Sequence, residues 1–211
     1  MVKVLLIVLF SCVIGNLGRA AQTTSPAPEP GSYYSVEPAF EYSRLTGALT
    51  DHDFRNIELN IFDQQGRVQL KAKLKNGIFE DSGLPKNWVA INGISYFGFE
   101  EQKPRFALVS FLWVSTGADA SSHGGVQLFT VQNRWLTVVQ QVLFTTKHFG
   151  AGAIFDPATR TLLINSSHYT RIDPHCCPSQ QDVVQFDWRD HNFVQSGSKT
   201  LPVARGSMRI R

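Results

Sequence analysis

The chain has 211 residues, of which 43% are hydrophobic and 18% are charged, and it contains three cysteines. This length fits one domain or two small ones, and the composition excludes a disordered or charge-extended chain. Without residues 1–20, which hold Lys3 and Arg19 and no acidic residue, 18 basic and 17 acidic residues remain. Such a nearly neutral chain gives no support from bulk charge to nucleic-acid binding.

Residues 1–20 have the pattern of a signal peptide. Lys3 supplies a positive charge, and an apolar run from Val4 to Leu17 follows it. Gly18-Arg19-Ala20 then places small residues where signal peptidase reads them. The apolar run is shorter than the roughly 20 residues that a membrane-spanning helix needs. We therefore expect cleavage before Ala21, an exported protein that is periplasmic or secreted, and no transmembrane span in the mature chain.

Two features qualify this N-terminal region. Leu9-Phe10-Ser11-Cys12 is an imperfect lipobox, so a lipoprotein anchored through Cys12 is the alternative to ordinary cleavage. Residues 21–32 are rich in Pro, Ser and Thr and have no apolar periodicity, which predicts an extended linker. If cleavage follows Ala20, the mature chain keeps two cysteines, and these are neighbours in the sequence.

Strand patterns dominate residues 33–203. Asn56–Ile61 and Val68–Leu74 alternate apolar and polar residues on either side of a turn at Asp63–Gly66. This pattern predicts a hairpin with one wet face. Asn76-Gly77 is a further turn signal. Phe106–Val114 is apolar except at Ser110, which is typical of a central strand covered on both faces.

The second half of the chain continues in the same way. A Gly/Ser-rich stretch, Ser115–Gly125, is expected to be a loop. Three strand regions follow it: a hairpin of Val126–Val131 and Trp135–Val139, a strand at Thr161–Asn165, and a hairpin of Val183–Trp188 and Phe193-Val194. Residues 204–211 form a basic tail. A helical period almost never persists for ten residues, so we predict a single, mainly β, antiparallel domain of meander or sandwich type, with at most short helices.

The most unusual stretch is Asp173–Ser179, in which Cys176 and Cys177 are adjacent. In an oxidising compartment they can form a vicinal disulfide, remain a dithiol, or bridge to another chain. Neighbouring Cα atoms are about 3.8 Å apart, below the usual disulfide range of about 4.4–6.8 Å, so a vicinal ring is strained. Such a ring serves as a rigid turn or as a labile redox element. We favour a disulfide that locks the loop.

Two chemical roles compete with this interpretation. His168, His175, Cys176 and Cys177, with Asp173 nearby, are residue types that bind zinc or copper. However, there is no C-x₂-C pair, and adjacent side chains of an extended chain point to opposite sides, which disfavours a shared ion. A nucleophilic cysteine with His168 or His175 as its base is the other alternative, although no family signature supports it. We therefore expect no cofactor, with metal binding as the alternative.

Other polar groups carry weaker signals. Asp51-His52-Asp53 could bind a metal but resembles a solvated turn. Glu100-Glu101 is a carboxylate pair whose side chains diverge on a strand. Ser121–Gly125 lacks the lysine of a phosphate-binding loop. A hydrolase with its site in Ser115–Gly125 and Asp173–Ser179 is a further, weaker hypothesis.

Asp173–Ser179, followed by Val184–Trp188 and Asn192-Phe193-Val194, resembles the LppP/LprE family of actinobacterial envelope lipoproteins, whose members carry a "CCPS" turn before a strand. The similarity covers roughly residues 88–195. Many relatives have a calcium-type Asp/Gly turn where this chain has Phe99–Arg105. The resemblance implies an envelope or secreted domain of unassigned biochemistry, with no catalytic residues to transfer.

Taken together, the sequence favours an exported β-domain that binds or supports an unidentified partner or ligand of the cell envelope, rather than an enzyme. Cys176 and Cys177 would lock its loop. The alternative is a periplasmic thiol-redox or copper- or zinc-handling protein that uses the same pair with His175. Neither hypothesis specifies the oligomeric state.

Overall fold

The structure is a computed structural model, and it describes residues 33–83, 86–116, 121–146, 151–174 and 177–203. The predicted signal peptide, linker and basic tail lie outside these residues. The described strands, in chain order, are β1 (Tyr33–Val36), β2 (Phe40–Arg44), β3 (Glu58–Phe62), β4 (Val68–Lys73), β5 (Ile78–Glu80), β6 (Lys86–Glu100), β7 (Lys103–Thr116), β8 (Ser121–Gln132), β9 (Trp135–Thr145), β10 (Gly152–Asp156), β11 (Thr161–His168), β12 (Gln180–Arg189) and β13 (Asn192–Pro202).

The strands form three antiparallel groups. The central sheet has the order β1-β9-β8-β7-β6-β5, with β2 also paired to β9. A second sheet has the order β10-β11-β12-β13, and β3 and β4 form a separate hairpin. The described helical segments are two single 3₁₀ turns, Leu49–Asp51 and Phe54–Asn56. The prediction of a mainly β antiparallel domain is therefore confirmed. Among the described residues, no helix has the length and apolar character to cross a membrane.

Layers pack against both faces of the central sheet, which explains why Phe106–Val109 of β7 are all apolar and buried. One core contains Val109 and Phe111 of β7 together with Leu59 and Ile61 of the β3–β4 hairpin. A second core lies on the other face, where Leu108 of β7 packs with residues of β11, β12 and β13. The prediction of a doubly covered central strand is confirmed for Phe106–Val109, whereas Ser110, Leu112 and Val114, on the second face, are only half-buried.

Four connections between strands are two-residue turns with positive φ at both positions. They are Asn76-Gly77, Glu101-Gln102, Asn133-Arg134 and Asp190-His191. This backbone is that of the type I′ turn, whose twist matches paired antiparallel strands. Asn-Gly is the usual sequence of such a turn, and it marked the first one. The turns at Asn133-Arg134 and Asp190-His191 also lie where the sequence predicted hairpins.

One sequence expectation is wrong. Ser121–Gly125 is not part of a loop, because β8 begins at Ser121 and pairs with both β7 and β9. Gly125 lies opposite Phe111 of β7, and Gly124 lies opposite Phe144 of β9. A Cβ at Gly125 would lie 2.6 Å from Phe111 Cε1, so the phenyl ring occupies the place of the missing side chain. Aromatic side chains cover strand glycines in this way elsewhere.

The predicted wet face of the β3–β4 hairpin is only partly correct. Lys71 and Lys73 of β4 are exposed as expected, but Asn60 of β3 is 2% exposed. Asn60 is buried because the free edge of β3 faces the central sheet rather than solvent. Its backbone N–H donates to Tyr42 Oη at 2.9 Å, and its carbonyl accepts from Gln127 Nε2 at 2.6 Å.

Phe62 completes this capped edge. Gln141 Oε1 accepts from the Phe62 N–H at 3.1 Å, and Gln141 Nε2 donates to the Phe62 carbonyl at 2.8 Å. Tyr34 Oη donates to the same carbonyl at 2.6 Å. Burial, with Asp63 nearby, raises the pKa of Tyr34 to about 12, so the phenol keeps the proton that it donates. Side chains thus replace a neighbouring strand at the edge of β3.

Gln140 makes the same contact on the opposite face. Its Oε1 accepts from the Phe193 N–H at 2.8 Å, and its Nε2 donates to the Phe193 carbonyl at 2.8 Å. Phe193 lies at the start of β13, the edge strand of the second sheet. Successive residues of a strand point to opposite faces. Gln140 and Gln141 therefore attach the two outer layers to the two faces of β9.

The Gln141 contact can be tested with Gln141→Met, which retains the side-chain volume and removes the amide. The Phe62 N–H then loses its acceptor in a buried position, which costs about 1–3 kcal/mol. Urea denaturation should show this loss in the free energy of unfolding. Gln69→Met, at an exposed position of β4, should change it by less than about 0.5 kcal/mol. Equal stabilities of the two variants would contradict the role assigned to Gln141.

The pairing of Phe111 with a glycine makes a second prediction. Gly125→Ala forces the added methyl into the Phe111 ring, and overpacking of this kind costs about 1–3 kcal/mol. Gly197→Ala in β13 is the matched control, because nothing lies within 4 Å of its Cβ position. Thermal unfolding should separate the two variants. A G125A protein as stable as G197A would mean that the ring moves aside freely.

Candidate functional site

At one end of the molecule lie the connections from β7 to β8, from β9 to β10 and from β11 to β12. At this end the Thr146 N–H donates to the Ser122 carbonyl at 3.0 Å, and their hydroxyls are 2.6 Å apart. The Thr145 N–H also contacts Ser166 Oγ at 3.3 Å. The cysteine-containing connection thus begins beside a hydrogen-bonded group of strand ends.

Residues 169–179 form what we call the clasped loop, because one carboxylate joins its two ends. Asp173 Oδ2 accepts from the Thr170 N–H at 2.7 Å and from the Ser179 N–H at 3.0 Å. Ser179 Oγ donates to the same oxygen at 3.1 Å. Thr170 lies just after β11 and Ser179 just before β12. Asp173 therefore joins the two ends of the loop through hydrogen bonds to one carboxylate oxygen.

These hydrogen bonds also change the acidity of Asp173. The backbone N–H groups of Ser179 and Thr170 favour the charged carboxylate and lower its pKa to about 2. Because the pKa is lower in the folded state, the ionised carboxylate of Asp173 stabilises the folded state at any pH above its usual pKa near 4. This stabilisation is lost as the pH falls through the folded pKa. The loop should thus stay closed at neutral pH and open in strong acid.

A second carboxylate anchors the base of the loop. His168 Nδ1 lies 2.9 Å from Asp182 Oδ2, and Thr200 Oγ1 donates to Asp182 Oδ1 at 2.6 Å. The three residues belong to β11, β12 and β13 and so link three adjacent strands. Asp182 is 9% exposed. His168, proposed from sequence as a metal ligand or a base for cysteine, is oriented by Asp182.

His175 and Cys176 lie outside the described residues, so the vicinal disulfide and the metal site remain predictions. Cys177 is described: its N–H donates to the Pro174 carbonyl at 2.9 Å, and Pro178 after it is buried. Within the residues that the structure describes, no group of three or more His, Cys, Asp or Glu side chains could hold a metal ion.

The side chains of Asp51, His52 and Asp53 make separate contacts. Asp51 Oδ2 accepts from the Ala48 N–H at 2.9 Å, whereas Asp53 accepts from the Arg55 N–H at 3.1 Å. His52 packs against the Phe54 ring, and burial lowers its pKa. Each acidic side chain thus caps a 3₁₀ turn, and the three groups do not converge on one site.

The remaining sequence candidates also have structural positions. Glu100 ends β6 and lies 3.5 Å from Arg105, and Glu101 occupies the following turn. Ser122 lies within β8, so the part of the hydrolase hypothesis that required a flexible loop at Ser121–Gly125 is wrong.

Sequence reasoning missed Ile172, the most exposed of the large hydrophobic residues in the described chain. Its side chain is 92% exposed. In the clasped loop it lies between Arg171, which is exposed, and Asp173, which is half-buried. A single exposed apolar residue is common on protein surfaces. Ile172 differs from such a residue because the carboxylate of Asp173, the next residue, accepts hydrogen bonds from both ends of the loop and so fixes the backbone beside Ile172. The available signal was an isoleucine between charged residues in a loop.

Protein-family models, curated proteins and solved structures were all compared with the chain, and none of them matches it. The resemblance to the LppP/LprE family therefore remains a prediction from the Asp173–Ser179 motif.

The clasp predicts a local effect of Asp173→Ala. Hydrogen exchange at the Thr170 and Ser179 amides should accelerate, because both lose their acceptor. In the wild type the protection factors of the same two amides, which allow for the slower intrinsic exchange in acid, should fall as the pH falls from about 4 to about 2. Asp156→Ala, which removes a similar acceptor from another turn, should affect the amides of Ala158 and Thr159 and leave those of Thr170 and Ser179 unchanged. Unchanged exchange at Thr170 in D173A would refute the clasp.

Proposed function

We propose that the protein is an exported binding module that contacts a protein of the cell envelope through the clasped loop. The observation that carries the proposal is the 92% exposed side chain of Ile172 in a loop closed by Asp173. Covering an isoleucine side chain on binding contributes about 1.5–3 kcal/mol. A contact residue that is already held in place loses less conformational entropy when the partner binds.

The neighbouring residues support a protein partner. Arg171 is exposed next to Ile172, so the loop presents a positive and an apolar side chain together. Arginine and large apolar side chains are common anchors of protein interfaces. His168, Asp182 and Thr200 support the loop from three adjacent strands. We infer that the partner provides an apolar pocket with an acidic rim.

The predicted disulfide has a place in this function. Joined as a vicinal pair, Cys176 and Cys177 would stiffen the part of the loop beyond the Asp173 contacts. The signal-peptide pattern of residues 1–20 would deliver the chain to a compartment in which the bond can form. Alkylation and intact-mass measurement of the exported protein test both points. A mass that begins at Ala21, is two hydrogens light and resists alkylation supports the proposal.

Two alkylatable thiols, or a retained metal ion, would instead favour the thiol-redox or metal-handling alternative. A mass that retains a lipid on Cys12 would contradict cleavage at Ala20, and it would place the module at a membrane surface.

Site-specific photo-crosslinking tests the contact itself. A photoreactive amino acid replaces Ile172 in the full chain, which is expressed in the cells that produce it. We expect a discrete crosslinked protein that disappears when Asp173→Ala is added or when excess unlabelled wild type competes. The matched control replaces Ile154, an isoleucine that is 69% exposed on β10. Crosslinking at Ile154 and none at Ile172 would reject the clasped loop as the contact surface.

A further inference from the structure

A basic cleft lies at the other end of the strands, beside the β8–β9 turn. It has a volume of about 570 Å³, within the usual range of small-molecule sites. We call it the arginine cleft, and its lining residues are Arg44, Leu45, Thr46, Gly47, Val131 and Arg134. The Leu45 N–H donates to the Arg134 carbonyl at 2.7 Å, which holds the two walls together. The cleft is therefore part of the folded frame rather than a gap between separate loops.

Both arginines of this cleft are exposed, and neither guanidinium group has a hydrogen-bond or ion-pair partner among the described residues. Three other exposed arginines have acidic partners: Arg67 pairs with Asp63, and Arg105 pairs with Glu100. Arg189 pairs with Asp187 in the same way. Two unpaired guanidinium groups on one cleft make a local positive potential in a chain whose net charge is small.

No acidic side chain is among the lining residues of the arginine cleft. Asp51 lies beside this lining, with its Oδ2 2.6 Å from the position that a Gly47 Cβ would take. That oxygen already accepts from the Ala48 N–H at 2.9 Å. Asp51 thus closes the backbone turn next to Gly47 and makes no ion pair with Arg44 or Arg134.

We propose that the arginine cleft binds a phosphate group of a phosphoester ligand. A carboxylate has two oxygens, and one guanidinium group can donate to both of them. A phosphate monoester has three terminal oxygens, so it can accept hydrogen bonds from two guanidinium groups at once. The Thr46 hydroxyl adds a neutral donor to the lining. The volume of the cleft exceeds that of a bare phosphate and leaves room for the rest of the ester. The ligand is either a soluble phosphate ester or the headgroup of an anionic lipid, which share this chemistry.

The backbone of Arg134 offers a variant that removes the charge without harming the fold. Its φ is +69°, a conformation that glycine adopts without steric cost. Arg134→Gly should therefore leave thermal stability equal to or above that of the wild type. Arg44→Gln removes the second charge. Arg160→Gln is the matched control, because Arg160 is also exposed in a turn with positive φ, 55°, and has no ion-pair partner among the described residues.

The binding experiment uses the exported protein with two probes, glycerol 3-phosphate in solution and vesicles that contain phosphatidic acid. Isothermal titration and vesicle sedimentation measure the two affinities. We expect R134G and R44Q each to weaken binding of the accepted probe by about tenfold or more, and R160Q to leave it unchanged. Binding of the soluble ester identifies a soluble ligand, and binding of the vesicles alone identifies a lipid headgroup.

The proposal is overturned if neither probe binds at millimolar concentration, if R134G and R44Q bind as the wild type does, or if R160Q loses as much affinity as they do. A folded R134G protein that still crosslinks through Ile172 but no longer binds phosphate would separate this site from the clasped loop. Failure of the loop proposal leaves the phosphate site untouched, because the two lie at opposite ends of the strands.

Discussion

The structure depends on a pair of successive glutamines in the strand that joins its layers. Gln140 and Gln141 point to opposite faces of β9, and each uses both amide atoms to pair with the backbone of one phenylalanine. The partners, Phe62 and Phe193, lie on strand edges that have no neighbouring strand at these points. Buried edges need partners for their N–H and carbonyl groups, or the fold loses about 1–3 kcal/mol for each. These side chains supply the partners, so both outer layers are held in a fixed position over the central sheet.

That arrangement has consequences for where ligands can bind. The outer layers cover most of both faces of the central sheet, and the two candidate binding sites lie at the exposed strand ends. One end carries the clasped loop, which Asp173 closes over its own backbone. The other end carries the tight hairpin turns and the arginine cleft between Arg44 and Arg134. Binding residues of proteins commonly lie on connections that a rigid set of strands holds in place.

Parts of the candidate site could be predicted from sequence, and parts could not. Asp173–Ser179 could be singled out from sequence, because two adjacent cysteines lie there between prolines. The role of Asp173 was missed, since its acceptor bonds to Thr170 and Ser179 require the loop to fold back on itself. His168 was assigned to metal or thiol chemistry. Its actual partner, Asp182, is 14 residues away and becomes adjacent only when β11 pairs with β12.

Local periodicity and turn chemistry were enough to predict several elements from the sequence. Asn76-Gly77 predicted a hairpin turn, and the apolar run from Phe106 predicted a strand that is covered on both faces over Phe106–Val109. Which residues are buried against their local pattern depends on the packing of the layers. Asn60 is buried and Gly125 lies in a strand because partners distant in sequence, Gln127 and Phe111, occupy the space beside them. The local sequence pattern indicates which secondary structure a segment favours. Burial and strand pairing depend on contacts between distant residues, which exist only after the layers have packed.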